Sequence, residues 1–496
     1  MTGPRTTADP RPSRARTATQ ADLPDSYAEA VAALQERGRF GIRLGLGRTR
    51  ALLKALGHPE RGLPGVLVGG TNGKGSVVAL LGACLSAAGY RAGEAPKPHL
   101  VTYRERLRIA GRPIEPEPFT ALVREVLPAA DRVARRHGPP TEFELMTALL
   151  FTWFARQQVD LAVVEVGLGG RLDATHAWDG GVAVVTNVDL DHTEWLGPTV
   201  AAIAREEAAI ISRGDLAVTG ATGEALAVVR GRARRVGAPL VEAAPAPVLA
   251  MDRSGLLVRL PGLGEVRVGL LGRHQAANVA VANAALDALE EKGIAVVPPA
   301  ARRAGYAAAR WPGRLEIIKV DGAGPAGATA EVVLDGAHNP AGAAVLAAAL
   351  DELRPLLRGG GEPRPAPVTL VLAIMGDKDV DGVIRPLAGS RALAGGRVIA
   401  TQVEGARALP AQQLAARWAA LAGPGAGGVT ATTNLDAALA EAVSTAAGPV
   451  VVAGSLYLVG AVRARLVDDP DLRDPPPGSG LLSDEPARHV TSGQPA

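Results

Sequence analysis

Eight residues, Gly69-Gly70-Thr71-Asn72-Gly73-Lys74-Gly75-Ser76, carry the strongest chemical signal in the chain. They follow a short apolar run, Gly65 to Gly69, and open the stretch Ser76 to Ala88, which reads as a helix. Glycines at such a turn let backbone N–H groups face a phosphate. The helix N-terminus adds positive dipole. Lys74 is placed to neutralise β- and γ-phosphates, and Ser76 offers a hydroxyl to Mg2+ or phosphate. The loop departs from the general phosphate-loop pattern. Val68 stands five residues before Gly73 where a glycine is required, and Gly75 separates Lys74 from Ser76. The plain alternative is a glycine-rich strand–helix turn with a solvated lysine.

The elements that must position this loop alternate along the chain. Leu161 to Val166 and Val182 to Thr186 read as buried strands, and Leu256 to Val258 with Val266 to Val268 as a small hairpin. His274 to Lys292 reads as a helix. A second series places strands at Glu331–Leu334, Val368–Ile374, Val398–Ala400 and Val450–Val452, with helices at 341–353, 411–421, 434–446 and 456–467. Strands alternating with helices imply parallel sheets with crossover connections. The expected fold is therefore α/β, with a hinge at Trp311-Pro312-Gly313. Residues 25–310 form a large P-loop-type ATPase domain with a mainly parallel sheet, and 311–468 a smaller Rossmann-like C-terminal domain. Residues 1–24 and 469–496, polar and proline-rich, read as disordered tails.

Composition narrows the function classes. Of 496 residues, 47% are hydrophobic and only 3% aromatic, so the core is built mainly from Ala, Val and Leu. The net charge is +3, with no basic cluster interleaved with aromatics, which argues against nucleic-acid binding. No apolar run reaches membrane-spanning length, and the N-terminal arginines lack a following apolar segment, so no membrane association and a cytoplasmic location are expected. The single cysteine, Cys84, lies in an apolar helical stretch and reads as a small buried hydrophobe. Gly167-Leu168-Gly169-Gly170 is no dinucleotide fingerprint, because Leu172 stands where the third glycine belongs.

Several longer motifs appear in order. They are Leu44-Gly45-Leu46-Gly47-Arg48-Thr49-Arg50, Pro98-His99-Leu100 with Tyr103-Arg104-Glu105-Arg106, and Glu165-Val166-Gly167-Leu168-Gly169-Gly170-Arg171-Leu172-Asp173-Ala174-Thr175. Thr186-Asn187-Val188, Asp191-His192 and Leu271-Gly272-Arg273-His274-Gln275 with Asn278 follow. Beyond the hinge come Pro312-Gly313-Arg314, Asp335-Gly336-Ala337-His338-Asn339-Pro340, Asp377-Lys378-Asp379 and Gly454-Ser455-Leu456-Tyr457-Leu458-Val459-Gly460. With the variant loop, this series resembles the folylpolyglutamate synthase/dihydrofolate synthase family of the Mur ligase superfamily over about residues 25–468.

The resemblance implies a monomeric two-domain ligase that uses ATP and Mg2+. A substrate carboxylate attacks the γ-phosphate, and the amine of L-glutamate then attacks the acyl phosphate, the first substrate being dihydropteroate or a folate. It implies catalytic roles for Lys74, Glu165, His192 and Glu207, and metal ligation by Ser76, Glu165, His192 and Glu207. ATP would meet Gly70, Thr71, Asn72, Gly73, Lys74, Gly75, Ser76, Gln275, Asn278, Arg314, Asp335 and His338, and the other substrates Lys97, His99, Arg104, Arg171 and Asp173. Singly, Glu165 is readable as a salt-bridge partner, His192 as a loop histidine, and Asp335 or His338 as caps of the helix after Pro340. Trp311 and Tyr457 read as packing residues.

Three positions depart from the family pattern. Lys97 replaces a serine that helps bind Mg2+; Glu207 replaces a lysine that becomes carbamylated; His176 replaces an asparagine. A lysine ammonium only donates, so it cannot ligate a metal. One expectation is that Lys97 and Glu207 form an ion pair in place of part of a metal subsite. These departures also keep open a related amide ligase with another carboxylate and amine, and a nucleotide-binding paralogue of reduced activity.

Overall fold

The computed structural model describes residues 23–476 except 39–40, 42, 359–365, 406 and 424–426. The expected tails lie outside the described residues at 1–22 and 477–496.

The first part is built on an eight-stranded sheet. From edge to edge its strands are Arg112–Pro113, Arg108–Ile109, Ala92–Ala95, Leu161–Glu165, Gly65–Gly69, Gly181–Val185, Leu216–Thr219 and Leu240–Glu242. The last six run parallel; the two short edge strands are antiparallel. Buried parallel strands read as near-continuous apolar runs because both faces are covered. Gly65-Val66-Leu67-Val68-Gly69 is such a run, and every residue in it is buried. Alternate strand residues feed two cores. Leu67, Ala162 and Val164 pack with the helices Pro116–His137 and Glu142–Arg156. Val66, Val68 and Val163 pack with Lys74–Ala87 and Gln275–Glu291. Cys84 is buried in the second core, as expected.

The anticipated hairpin is present as Gly255–Leu260 and Gly264–Val268, joined by Val248–Asp252 into a three-stranded antiparallel sheet. The second part carries a six-stranded sheet in the order Glu316–Val320, Ala330–Leu334, Val450–Ala453, Thr369–Leu372, Arg397–Ala400 and Val429–Ala431. Only Glu316–Val320 runs antiparallel to its neighbour. The four strands and four helices read from this half each overlap an observed element.

Strand Gly65–Gly69 is flanked by Leu161–Glu165 and Gly181–Val185, not by the next strand in sequence. Such a crossover opens a crevice at the carboxyl ends of the strands, where α/β proteins bind ligands. No helix among the described residues is long and apolar enough to cross a membrane.

The C-terminal tail expected from residue 469 needs correcting. Pro470–Leu472 is a short 3-10 helix with Leu472 buried, and Asp474 bonds the first part of the molecule. An arginine and a threonine of that part supply the donors that hold it.

Candidate functional site

The phosphate loop leaves strand Gly65–Gly69 and enters helix Lys74–Ala87 at Gly73, whose φ is 84°. A β-carbon at Gly73 would lie 2.3 Å from Asn278 Oδ1, so only glycine fits both the backbone and its neighbour. At Gly75 the constraint is the neighbour alone: a β-carbon there would stand 2.7 Å from the Trp311 ring. The next strand end holds the loop in place. Thr71 N–H donates to Asn187 O and Asn72 N–H to Asn187 Oδ1, both at 2.8 Å, while Thr186 Oγ1–H donates to Asn72 O at 2.7 Å. Lys74 Nζ folds back to donate to Gly70 O and Thr71 O, at 2.5 and 3.0 Å. Ser76 is buried in the first helical turn.

Glu165 ends the neighbouring strand and is buried beside this loop. Its Oε2 accepts the Lys97 backbone N–H at 2.9 Å, and Lys97 Nζ donates to the Glu165 carbonyl at 2.5 Å. The ammonium also lies 4.9 Å from the centre of the Phe143 ring. Burial pushes the Glu165 carboxyl up, against the opposing charges of Lys74, Lys97 and Arg314. Burial brings the Lys97 ammonium down to about 8, opposed by Asp173 and Glu165. Glu207 is buried too, and its Oε2 accepts the Gly70 N–H at 2.8 Å. The Lys97 ammonium therefore bonds the Glu165 main chain rather than a carboxylate, and the expected Lys97–Glu207 pair is not formed. The backbone explains why: Lys97 leaves strand Ala92–Ala95, the direct neighbour of the Glu165 strand.

Among the described residues no three His, Cys, Asp or Glu side chains converge to hold a metal ion. His192 stands apart at φ 49°, half-exposed, with its ring 3.9 Å from Asp191 Oδ1. Burial lowers its pKa and Asp191 opposes the shift. Ser76, Glu165, His192 and Glu207 thus do not close into one ligand set. The hard oxygens of Ser76, Glu165 and Glu207 around the loop suit instead a Mg2+ that keeps one or two protein ligands and draws the rest from phosphate and water.

The second part of the molecule reaches this crevice directly. Asn339 Nδ2 donates to Asp191 Oδ2 at 2.9 Å and to Asn72 Oδ1 at 3.3 Å. Its Oδ1 caps helix Pro340–Leu353 by accepting the Gly342 N–H, so Asn339, not Asp335 or His338, is the cap. Lys378 Nζ donates to Asp191 Oδ1 at 3.0 Å. Although burial opposes it, His192, Lys378 and Asn339 together hold the Asp191 carboxyl well below the usual carboxylate range. Asp191, Asn339 and Lys378 had no assigned role. Their signal was their place inside the motifs around His192, His338 and Asp377.

The residues expected near ATP separate into two groups. Asn278 Nδ2 donates to Gln275 Oε1 at 2.8 Å, beside Gly73. Across the crevice, Asp335 accepts the N–H groups of Leu315 and Ala337, and burial pushes its carboxyl up against the nearby Arg314 charge. His338 donates Nδ1–H to Gly336 O at 2.8 Å, and burial brings its pKa down to about 4.

The substrate-side residues require more revision. His99 packs at a tilt against Tyr103 and accepts the Arg106 Nε–H at Nδ1, at 2.8 Å; burial brings it down to about 3. Arg104, expected to meet substrate, has a side chain 1% exposed and bonds Ile114 O, Arg473 O and Asp474. Its donors serve packing. Asp173 is similarly engaged: it accepts the N–H groups of Gly167, Leu168 and Thr175 and the Thr175 hydroxyl, stapling the 167–175 loop. Arg171 is exposed and pairs with Glu206 at 3.2 Å. His176 faces Arg171 O at 3.4 Å. Trp311 packs as expected, over Gly75, but Tyr457 is 57% exposed and is not a packing residue. Lys97, Glu165, Gly75, Trp311 and Arg314 line one small pocket of about 40 Å3.

Residues 68–286 match the family described as Mur ligase middle domain, and 319–466 the one described as Dihydrofolate synthetase, C-terminal domain. A dihydrofolate synthase/folylpolyglutamate synthase from Bacillus subtilis is 38% identical over 65% of this chain and 75% of its own length. One from Mycobacterium tuberculosis is 34% identical over 86% of this chain and 90% of its own. The crystal structures of Mycobacterium tuberculosis folylpolyglutamate synthase complexed with ADP and AMPPCP superpose with a TM-score of 0.77 at 32% identity, covering 89% of this chain and 99% of that one.

Proposed function

The chain belongs to the dihydrofolate synthase/folylpolyglutamate synthase family of ATP-dependent ligases, and from that premise we propose how its own residues perform the reaction. It joins L-glutamate to dihydropteroate or to a folate, with ADP and phosphate released. The observation that carries this reading is the concentration of charge at one crevice. Lys74, Lys97 and Arg314 surround Glu165 at the mouth of the phosphate loop, and Asn339 reaches Asn72 from the other part.

Lys74 exchanges its loop carbonyls for phosphate oxygens, and the loop N–H groups with the helix terminus hold the remaining phosphate charge. Gln275 and Asn278 lie on the nucleotide side, and Arg314 and His338 face it from the second part. Glu165 and Ser76 would hold a Mg2+, which would supply charge neutralisation at the phosphates. The substrate carboxylate attacks the γ-phosphorus, and ADP leaves. The glutamate amine then attacks the acyl carbon, loses a proton and expels phosphate. Approach of the two parts keeps water from the acyl phosphate. Lys97 extends the positive field of the loop toward the carboxylate.

The test is direct. Purified protein with Mg-ATP, L-glutamate and either dihydropteroate or tetrahydrofolate is followed by mass spectrometry and ADP release. A glutamyl conjugate with matching ADP is expected. Bound ATP with neither product overturns the reading.

A further inference from the structure

The chain does not end its structural work where its family match ends, at residue 466. After helix Leu456–Leu466 the segment Asp469–Asp474 crosses from the second part of the molecule to the first. Its start is tied to the second part: Asp469 faces Arg463 at 3.7 Å, and Arg463 also bonds Glu316. Its end is tied to the first. Asp474 Oδ1 accepts the Thr102 hydroxyl at 2.6 Å and Arg104 Nε–H at 3.3 Å, while Arg473 O accepts Arg104 Nη2–H at 3.0 Å. Arg104 is buried and also bonds Ile114 O; Tyr27 OH shares a hydrogen bond with Thr102 Oγ1 at 2.8 Å.

Thr102 and Arg104 are structural members of one tight loop. Thr102 caps the 3-10 helix Tyr103–Arg106 in a reciprocal box with Glu105, whose Oε1 accepts the N–H groups of Leu100, Val101 and Thr102. The same loop carries Lys97, His99 and Arg106. Its other side touches the second part, where a β-carbon at Gly460 would lie 1.8 Å from Leu100 O. The 97–106 loop is therefore gripped from both sides by chain that belongs to the other half.

We propose that Asp469–Asp474 is a strap and that Asp474 is a positioning residue: it holds Thr102 and Arg104 so that the 97–106 loop keeps Lys97 at the crevice pocket it lines. The substrate part rests on the ligase reading above. A half-exposed carboxylate bonding a buried guanidinium and a hydroxyl is a charge-assisted contact. Its loss would leave Arg104 under-satisfied and the loop free to shift, without touching the phosphate loop.

The experiment uses the full-length chain with Asp474→Ala and Asp474→Glu. Asp474→Ala is expected to raise KM for the pterin or folate substrate about tenfold, the scale of one charged hydrogen bond. The kcat and the KM for ATP stay within about twofold, and Asp474→Glu recovers most of the loss. Hydrogen exchange should quicken in residues 97–106 and stay unchanged in 69–76. Unchanged KM and unchanged exchange overturn the strap. So does an equal loss for ATP and folate with general loss of stability, which marks mere structural damage. If the unmodified protein makes no glutamyl conjugate, the ligase reading has failed; faster exchange confined to 97–106 would still support the strap, and its absence would still sink it.

Discussion

Two buried carboxylates stand at the ends of parallel strands, one in each half of the molecule. Glu165 ends a strand of the eight-stranded sheet and Asp335 follows one of the six-stranded sheet. Burial raises both above the usual carboxylate range. Their partners differ. Asp335 accepts two backbone N–H groups of its own half, from Leu315 and Ala337. Glu165 accepts one, from Lys97, and is otherwise surrounded by the charges of Lys74, Lys97 and Arg314. A carboxylate satisfied by backbone is a staple. One faced by side-chain cations rather than by backbone can exchange them for phosphate or metal. On the proposed reading, chemistry belongs to the eight-stranded side, with the six-stranded side supplying alignment through Asn339 and Lys378.

The largest effect expected from this asymmetry is at Lys74. Lys74→Ala should lower kcat by about 10²- to 10³-fold, the usual loss for one preorganised donor at a developing charge. Lys378→Ala should cost only about tenfold, because it removes one charge-assisted contact, to Asp191. Steady-state ADP release measures both, and equal losses would break the comparison. A smaller effect sharpens it. Lys97→Met and Glu165→Gln should each destabilise, and together destabilise less than their sum, with a coupling of about 1–3 kcal/mol. Urea unfolding of the four proteins gives the cycle; additive losses would mean that the two groups do not compensate each other. Asn339→Ala removes a helix cap worth about 1 kcal/mol and both contacts across the crevice. It should lower Tm by a few degrees, roughly, and raise KM for ATP. An unchanged KM would leave Asn339 as a cap alone.

Most of the fold was legible because its signals are local. Apolar runs bounded by glycine gave the strands around Gly69 and Val185, and the Pro-Gly-Leu-Gly turn gave the hairpin. The phosphate loop was legible for the same reason: its glycines answer to nearby backbone geometry. What stayed hidden depends mostly on partners distant in sequence. Arg104 looked like a substrate contact because an arginine in a motif loop carries no mark of burial; its partner Asp474 is far along the chain, in a segment whose composition resembles a tail. Lys97 was matched to Glu207 by opposite charge at positions that the family resemblance places together, whereas strand order sets it beside the Glu165 main chain. Asp173, which the resemblance puts near substrate, is engaged by four short-range donors. Tyr457 looked like core, and only its helix face exposes it.

The smallest expected effect concerns pH and the aligning half. His338 is neutral in the folded protein: burial brings its pKa to about 4, while Gly336 O holds the Nδ1–H. In the unfolded chain it titrates near about 6.5. The folded state thus resists a proton that the unfolded state accepts, so this contribution is complete above the unfolded value and is lost as pH falls toward about 4. His338→Gln removes the titration, and its Tm should fall less between pH 7 and pH 4.5, roughly the window of that shift, than the parent's does. His99 and His274, lowered by burial to about 3 and about 4, act in the same direction, and the raised Glu165 and Asp335 act oppositely. All four are present in both proteins, so the difference between the two melting curves isolates His338. Parallel curves would mean that solvent reaches the ring in the folded state, and that the six-stranded face is more open than its hydrogen bonds imply.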